Sequence, residues 1–325
     1  MSTTQAVRVH QIGGPEVLSY EEIDVAEPGP KQVLIRQTAI GLNFIDTYHR
    51  SGLYPVELPA TLGSEAAGVV EALGDEDEGL AVGDRVAYVR GPGAYCGRRV
   101  MDASVVLRLP DAISEEQAAA MMLKGMTVEY LLRRTYPVQA GETILWHAAA
   151  GGVGLIACQW ASHLGATVIG TVGSEEKAEL ARAHGCHHAI LYREESVPDR
   201  VRELTGGAGV PVVYDSVGKD TFQDSLDCLQ PRGMMVSFGN ASGAVPPVAP
   251  GVLAQKGSLY LTRPSLFHYT ATRDELEACA GALFEVVASD AVKVEVSHRY
   301  PLAEAEQAHR DLESRATTGS VVLVP

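Results

Sequence analysis

Residues 143–157, TILWHAAAGGVGLIA, are the stretch that most constrains how this chain can fold. An apolar run gives way to small residues, three of them glycine, and apolar residues then return at helical spacing as far as Leu164. This order predicts a β-strand, a tight turn and an α-helix. In such a turn backbone N–H groups approach a pyrophosphate, and the helix N-terminus faces the anion. The stretch therefore predicts a dinucleotide-binding site.

The glycine pattern departs from G-x-G-x-x-G at one position. Ala149 stands at the first glycine, while Gly151 and Gly154 occupy the other two. Residues 165–172 (GATVIGTV) read as the next buried parallel strand, which places the glycines inside one βαβ unit. The alternative is a glycine-rich turn of an α/β protein that binds no nucleotide.

The end of that second strand selects the cofactor. NAD sites usually carry an acid there for the ribose 2′-hydroxyl, but this strand ends in Val172, Gly173 and Ser174. Lys177 follows on the next helix, and Tyr192 closes the neighbouring strand. Hydroxyl and cationic donors suit a 2′-phosphate, so the sequence predicts NADPH. The alternative for Lys177 is a solvated helix lysine among three nearby glutamates.

Composition is typical of a soluble globular protein. Its 325 residues suggest two domains, and 46% hydrophobic residues are enough for two cores. A net charge of −15 disfavours nucleic acid and membrane surfaces as partners. No leader pattern or long apolar segment is visible, so we expect a cytoplasmic location. The five cysteines are scattered without a C-x-x-C pair, and we expect them to be reduced.

Periodicity divides the chain into three parts. Residues 1–126 are rich in short strands between Gly/Pro turns, which predicts a rolled antiparallel sheet, and they end in a helix over 118–123. Residues 127–262 begin with a second helix over 128–134 and form the nucleotide-binding domain. Residues 263–325 return to the first domain, with predicted helices and strands at 273–288, 292–294, 303–313 and 320–324.

Several stretches together resemble the medium-chain dehydrogenase/reductase superfamily, and within it the zinc-free, ζ-crystallin-like quinone oxidoreductases. The resemblance spans essentially the whole chain and is most specific at 41–48 (GLNFIDTY), 51–55 (SGLYP), 147–154, 213–218 (VYDSVG) and 314–319 (SRATTG). It implies an α/β fold in which a doubly wound parallel Rossmann sheet joins a GroES-like, β-rich catalytic domain. It also implies an active-site cleft between the domains and a homodimer built through the Rossmann domains.

Two zinc ligands of the superfamily are replaced here. Asn43 stands where zinc members have cysteine, and Gly63-Ser64-Glu65 stands where they have Gly-His-Glu. The cysteine-rich lobe of the structural zinc is absent too, and His49 alone would not make a site, since zinc takes three or four protein ligands. We therefore expect no metal.

Without a Lewis acid to stabilise an alkoxide, alcohol oxidation is disfavoured. Quinones are more suitable substrates, because the oxygen of a reduced quinone is a stabilised phenolate. The resemblance implies NADPH-dependent quinone reduction and assigns catalytic positions to Asn43, Tyr48, Tyr54 and Lys124. The closing proton comes from Tyr48 or from a water held by Asn43, unless Tyr48 only stacks on the acceptor. Asp46 has two possible roles. It is either a further titratable group of the active site, or a carboxylate that orients the backbone or Asn43. The cofactor-binding positions implied are Thr127, Gly151, Gly152, Val153, Gly173, Ser174, Lys177, Tyr192, Ser216, Phe238, Asn240 and Arg315.

Two other functions remain open at this stage. The same scaffold reduces activated C=C bonds of enones and 2-alkenals, and nothing in the sequence excludes that substrate class. A non-enzymatic cofactor-binding or RNA-binding protein is the other alternative, which the acidic composition disfavours. The sequence also leaves open which acceptor is used, and whether electrons leave singly or as hydride.

Overall fold

The structure is a computed structural model and describes residues 2–74, 79–314 and 316–325. The chain divides into two compact units. The first unit comprises Met1–Met126, Thr272–Ala288 and Val294–Pro325, and the second comprises Thr127–Ala271 and Ser289–Lys293. The second unit thus runs beyond the predicted bound at 262 and includes a short segment from the C-terminal part.

The first unit is built mainly of β-strands. Its strands are β1 (Ser2–Val9), β2 (Leu18–Val25), β3 (Gln32–Leu42), β4 (Ala60–Thr61), β5 (Glu65–Leu73), β6 (Arg85–Val89), β7 (Arg98–Asp102) and β8 (Val106–Arg108).

The second unit alternates strands and helices from its first strand onward. Its strands are β9 (Thr143–Trp146), β10 (Thr167–Val172), β11 (His188–Leu191), β12 (Val210–Asp215), β13 (Leu229–Ser237) and β14 (Tyr260–Thr262). The C-terminal part returns to the first unit with β15 (Val296–Pro301) and β16 (Ser320–Val324).

Ten α-helices complete the described part of the chain. They are α1 (Phe44–Ser51), α2 (Glu115–Tyr130), α3 (Gly152–His163), α4 (Glu175–Ala183), α5 (Val197–Leu204), α6 (Phe222–Asp227), α7 (Pro250–Gln255), α8 (Leu266–Tyr269), α9 (Arg273–Ala288) and α10 (Ala305–Glu313). A π-helical turn, Leu131–Thr135, follows α2 directly.

The first unit contains a rolled, largely antiparallel sheet. Its order is β15-β16-β3-β5-β6-β8, with β7 also paired to β3, and only β15 and β16 run parallel. A second sheet, β2-β1-β4, joins it through a bridge between Ala6 and Cys96. The long strand β3 keeps pairs on both sides because alternate residues face a common core that includes Val33, Ile35 and Tyr88.

The second unit is a doubly wound parallel sheet. Its strand order is β11-β10-β9-β12-β13-β14, and every pair in it is parallel. The chain therefore winds outward from β9 in one direction and from β12 in the other. In such a sheet ligands bind at the carboxyl ends of the strands, where the order reverses. The α/β fold class is as the sequence predicts.

One sequence prediction about helices was wrong. Residues 115–130 form a single helix, whereas Lys124-Gly125 read as a break between two. The reason is long-range packing: a Cβ at Gly125 would lie 2.4 Å from Cδ1 of Leu283 on α9. Gly125 therefore allows two helices to approach closely rather than ending one of them.

The predicted strand at 292–294 was also wrong. The chain there is irregular, and β15 begins at Val296 in parallel register with β16. Val292 and Val294 are buried but make no ladder hydrogen bonds, so their apolar character reflects packing alone. In the part of the chain that is described, no helix combines the length and apolar character that crossing a membrane requires.

Candidate active site

A buried carboxylate gathers three donors in the first unit. Glu65, at the start of β5, accepts from Asn43 Nδ2 at 2.7 Å and Lys124 Nζ at 3.2 Å, both on Oε1. Its Oε2 accepts from the backbone N–H of Leu123 at 2.6 Å. Glu65 is 0% exposed, while Asn43 and Lys124 are each 7% exposed. The predicted residues Asn43 and Lys124 therefore meet on an acid that the sequence analysis did not single out.

Lys124 and Asn43 keep hydrogen-bonding capacity beyond this acid. The Lys124 ammonium also donates to the carbonyl of Leu42 at 3.4 Å, which uses two of its three N–H groups. Asn43 donates one of its two amide hydrogens to Glu65. The remaining N–H groups of Lys124 and Asn43 are able to donate to an oxygen of a small molecule.

Asn43 is held by the start of helix α1. Its backbone is extended, and its N–H donates to Oδ2 of Asp46 at 2.9 Å, so an acid in the first turn secures the residue before the helix. Gly52, at φ 80°, ends α1 in the left-handed conformation. The geometry thus shows Asp46 orienting the backbone of Asn43.

Asp46 is itself a fully buried carboxyl with three donors. Besides Asn43, it accepts from Ser64 Oγ at 2.8 Å and from the Tyr95 hydroxyl at 3.1 Å. Burial raises the pKa of Asp46 to about 7, against the lowering effect of these hydrogen bonds. Asp46 therefore changes charge near neutral pH.

A polar chain continues from Asp46 through the core of the first unit. The Tyr95 hydroxyl lies 3.0 Å from Nε2 of His309, whose Nδ1 lies 2.9 Å from Nη1 of Arg50. Arginine only donates, so His309 accepts at Nδ1 and carries its hydrogen on Nε2. Arg50 also bonds Glu313 at 2.6 Å. Burial, followed by the Arg50 charge, lowers the pKa of His309 to about 3.

Aromatic side chains cluster along α1. Tyr48 and Tyr54 pack edge to face with ring centroids 5.3 Å apart, and Phe44 lies 6.5 Å from Tyr48. His49 lies 6.1 Å from Tyr54, and burial lowers its pKa. Tyr48 and Tyr54, which the sequence analysis proposes as catalytic, are therefore neighbours.

The glycine turn of the second unit has the predicted form. Gly151 precedes α3, and a Cβ at Gly154 would lie 2.3 Å from the carbonyl oxygen of Ala148. The alanine at the first glycine position fits because of its neighbour: a Cβ at Gly170 would lie 2.6 Å from that of Ala149. Gly170 on β10 thus makes room for Ala149.

A second chain of hydrogen-bonded polar side chains contacts this turn. His147 places Nδ1 3.0 Å from Thr171 Oγ1 and Nε2 2.9 Å from Ser225 Oγ. Ser225 donates to Asp215 at 2.8 Å, and Thr171 Oγ1 accepts from the Ala148 N–H at 3.3 Å. Burial lowers the pKa of His147, which keeps the imidazole neutral. The chain joins the ends of β9, β10 and β12 and was not found from sequence.

The residues predicted for a 2′-phosphate lie together. A Cβ at Gly173 would lie 2.7 Å from the Tyr192 hydroxyl, so the tyrosine ring lies close beside the end of β10. Ser174 begins α4 and accepts from the Lys177 N–H at 3.4 Å. No carboxylate occupies positions 172–174 at the tip of β10.

The predicted cofactor-binding residues Ser216, Phe238 and Asn240 follow strands β12 and β13. A Cβ at Gly239 would lie 2.3 Å from the carbonyl oxygen of Ser216, so the two turns touch. Phe238 packs 5.5 Å from Trp146. The Asn240 amide, oriented to satisfy both neighbours, donates to Gly239 O at 2.9 Å and accepts from an Arg263 Nη2 at 3.0 Å.

The remaining predicted residues are placed as follows. Gly152 and Val153 are the first residues of α3, and Thr127 lies on α2 at the start of the second unit. Arg315 lies outside the described residues. Within residues 2–74, 79–314 and 316–325, no group of three or more His, Cys, Asp or Glu side chains is arranged to hold a metal ion.

Two family models match the chain. The alcohol dehydrogenase GroES-like domain matches residues 29–135, and the zinc-binding dehydrogenase model matches residues 152–284. The first match lies largely in the β-rich unit, and the second begins at the glycine turn.

Individual proteins match over nearly the full length. A quinone oxidoreductase of Pseudomonas aeruginosa is 58% identical, covering 96% of this chain and 97% of that protein. A 2-haloacrylate reductase of Burkholderia is 48% identical, covering 98% of each. The crystal structure of Escherichia coli quinone oxidoreductase complexed with NADPH superimposes with a TM-score of 0.97 at 53% identity, covering 100% of both chains.

Proposed function

The chain belongs to the quinone oxidoreductases of the medium-chain dehydrogenase/reductase superfamily, and we propose that it reduces quinones with NADPH. The observation that carries the proposal is the meeting of Asn43 and Lys124 on Glu65, with Asn43 at the N-terminus of helix α1. Two buried donors with unused N–H groups suit an acceptor whose oxygen gains negative charge.

NADPH is the cofactor that the second unit fits. Gly151, Gly152 and Val153 bind the pyrophosphate at the start of α3, since the first backbone N–H groups of a helix have no partner within it and no side chain caps this one. Gly173, Ser174, Lys177 and Tyr192 bind the 2′-phosphate. Thr127, Ser216, Phe238 and Asn240 continue the site toward the nicotinamide, and Arg315 is a further cofactor-binding residue that the family resemblance implies.

Bound NADPH supplies a hydride equivalent, and one proton completes the conversion of a quinone to a hydroquinone. The protein's residues orient the acceptor and stabilise its charge. Tyr48 and Tyr54 offer aromatic surface for the quinone ring. Lys124 and Asn43 donate hydrogen bonds to the oxygen that becomes anionic, and Tyr48 or a water on Asn43 delivers the proton.

A substrate panel tests this function. We expect NADPH to be oxidised in the presence of 1,4-benzoquinone or 9,10-phenanthrenequinone, with NADH much less effective. We also expect chelators to leave the rate unchanged. Failure of every quinone to accelerate NADPH oxidation would exclude the proposal.

Reduction of an activated C=C bond is the second candidate. The 48% identity to a 2-haloacrylate reductase favours it, since that protein's name describes a substrate with a conjugated C=C bond. The same donors would then stabilise an enolate oxygen. A higher kcat/KM for 2-alkenals or 2-chloroacrylate than for any quinone, measured in the same panel, would make this the main activity.

The edge strand β14 supports a homodimer. It lies at one end of the parallel sheet, where β13 is its one partner among the described strands, and it exposes Tyr260 and Leu261. An exposed apolar edge strand with unpaired backbone groups is a template for another chain. We propose that β14 of a second copy adds to this edge.

The cytoplasm is the compartment we propose. All five cysteines lie in described positions and are free thiols, and every one is buried. Free thiols persist where the environment is reducing. Fractionation of the native host would test this location.

A further inference from the structure

Glu65 is a charged group that the proposed reaction does not use directly. It is fully buried, and its two carboxylate oxygens receive three hydrogen bonds from two different parts of the chain. Asn43 approaches from the residue before α1, and Lys124 and Leu123 approach from α2. A buried carboxylate requires such partners, but a buried ion pair is weak evidence of added stability. Its presence therefore calls for another reason.

The neighbouring strand is shaped to admit this carboxylate. A Cβ at Gly41 would lie 2.3 Å from Oε1 of Glu65 and 2.3 Å from the carbonyl oxygen of Ala119. Any other residue at position 41 would displace the carboxyl group. Gly41 thus keeps the oxygen that binds both Asn43 and Lys124 in place.

Sharing one oxygen fixes the two donors relative to each other. Asn43 Nδ2 and Lys124 Nζ both bond Oε1, so they lie on two sides of a single atom. The Leu42 carbonyl holds a second N–H of Lys124, which leaves the direction of the third determined. Without Glu65, a four-carbon lysine side chain would have several rotamers available.

Other titratable groups near this acid come from two further elements. Asp46 on α1 and Tyr95, which follows β6, both interact electrostatically with Glu65. Both belong to the hydrogen-bonded chain through His309, which reaches Glu65 only through Asn43, and neither is a cation. Lys124 is therefore the cation that directly balances Glu65.

We propose that Glu65 is a positioning residue that holds Lys124 and Asn43 as one paired donor for the acceptor oxygen that becomes negatively charged. This inference rests on the proposed function, because the donors act on a reduced quinone oxygen. Loss of Glu65 leaves both donors present but no longer fixed. The chemical step then slows while the cofactor site in the second unit is unchanged.

The test is a double-mutant cycle in the full-length protein. Glu65→Gln, Lys124→Met and the double variant are compared with Glu71→Gln, a half-exposed acid on the same strand that pairs with Arg98 at 2.8 Å. We expect Glu65→Gln to lower kcat for 1,4-benzoquinone by about 10- to 100-fold, as for loss of a charge-assisted hydrogen bond. The KM for NADPH should stay within about 2-fold, and Glu71→Gln should resemble the parent.

The cycle separates positioning from general damage to the fold. Because Glu65 acts partly through Lys124 and partly through Asn43, the double variant should lose clearly less kcat than the product of the two single losses; fully multiplying losses would overturn the inference. A folded Glu65→Gln variant with parental kcat would also overturn it. If Glu65→Gln does not fold, Glu65→Asp retains the charge with a shorter reach, and an unchanged kcat in that variant would count against positioning. An inactive parent protein would instead refute the proposed function.

Discussion

The Tyr95 hydroxyl lies 3.0 Å from Nε2 of His309, although 214 residues separate the two in sequence. The contact joins the C-terminal helix α10 to the acid that secures Asn43, because Tyr95 also donates to Asp46. Asp46, Tyr95 and His309 are all buried, and burial shifts the pKa of each one, so their protonation is linked to folding. The pKa of His309 is lowered and that of Asp46 is raised, so the two groups change stability with pH in opposite directions.

The first of these groups is His309. Its pKa is about 3 in the folded protein against 6.5 unperturbed, so the unfolded chain binds a proton first as the pH falls. Stability should therefore decrease on acidification below about pH 6.5. In His309→Gln this contribution is absent, and the loss between about pH 7 and pH 4 should be smaller by about 3 kcal/mol. Urea unfolding across this range measures it, with the exposed His10→Gln as control; equal slopes in parent and variant would contradict the prediction.

The second group is Asp46. Its pKa is about 7 in the folded protein against 3.8 unperturbed, so between these values the folded state binds more protons than the unfolded state. Asp46 should therefore make the protein less stable as the pH rises from about 4 to 7. In Asp46→Asn that decline should disappear, although the variant is less stable overall because an amide replaces an acceptor of three donors. The slope of unfolding free energy against pH is the readout, and a steeper decline in the variant would refute the assignment.

The alternation of strands and helices in the second unit was predictable from sequence because its signals are local. Glycine spacing and apolar periodicity identify β9, α3 and β10, and the turn at Ser174 sits where the strand ends. The prediction of a helix break at Gly125 was wrong because the role of this glycine is set by a distant part of the chain. Its role depends on Leu283, which lies on another helix far along the chain.

The predicted site residues likewise divide into those with a local signal in the sequence and those whose role depends on distant residues. Ser174, Lys177 and the neighbouring strand end follow from strand position alone. Glu65 does not, since its partners lie 22 and 59 residues away and become neighbours only through the sheet and α2. In the sequence, Gly63-Ser64-Glu65 was interpreted only as a segment without the histidine that binds zinc. In the structure its glutamate is the residue that bonds Asn43 and Lys124.

Lys177 tests the choice of cofactor. If its ammonium binds the 2′-phosphate, Lys177→Ala should raise the KM for NADPH by about 10- to 100-fold and leave the KM for NADH nearly unchanged. Lys293→Ala is a matched control, because Lys293 is an exposed lysine of the same unit. Equal effects on both cofactors would remove Lys177 from the phosphate site.

Gly154 tests the glycine turn. Gly154→Ala would place a Cβ 2.3 Å from Ala148 O and 2.6 Å from Ala149 O, both backbone atoms that cannot move aside cheaply. We expect a loss of about 1–3 kcal/mol in unfolding free energy and weaker NADPH binding. Gly281→Ala is the control, since its Cβ would meet nothing within 4 Å on helix α9, and it should be neutral or stabilising. Unchanged NADPH affinity in a folded Gly154→Ala protein would argue against the turn as the pyrophosphate site.

Leu261 tests the proposed dimer. It is 37% exposed beside Tyr260 on the edge strand β14, and a second copy would cover both side chains. Leu261→Glu places a charge where two such strands would meet, so the variant should be monomeric by light scattering while the parent is a dimer. Val82→Glu introduces the same charge at a 65% exposed residue of the first unit and should leave the assembly intact. A parent that is monomeric at micromolar concentration, or a Leu261→Glu variant that remains dimeric, would show that β14 does not form the interface.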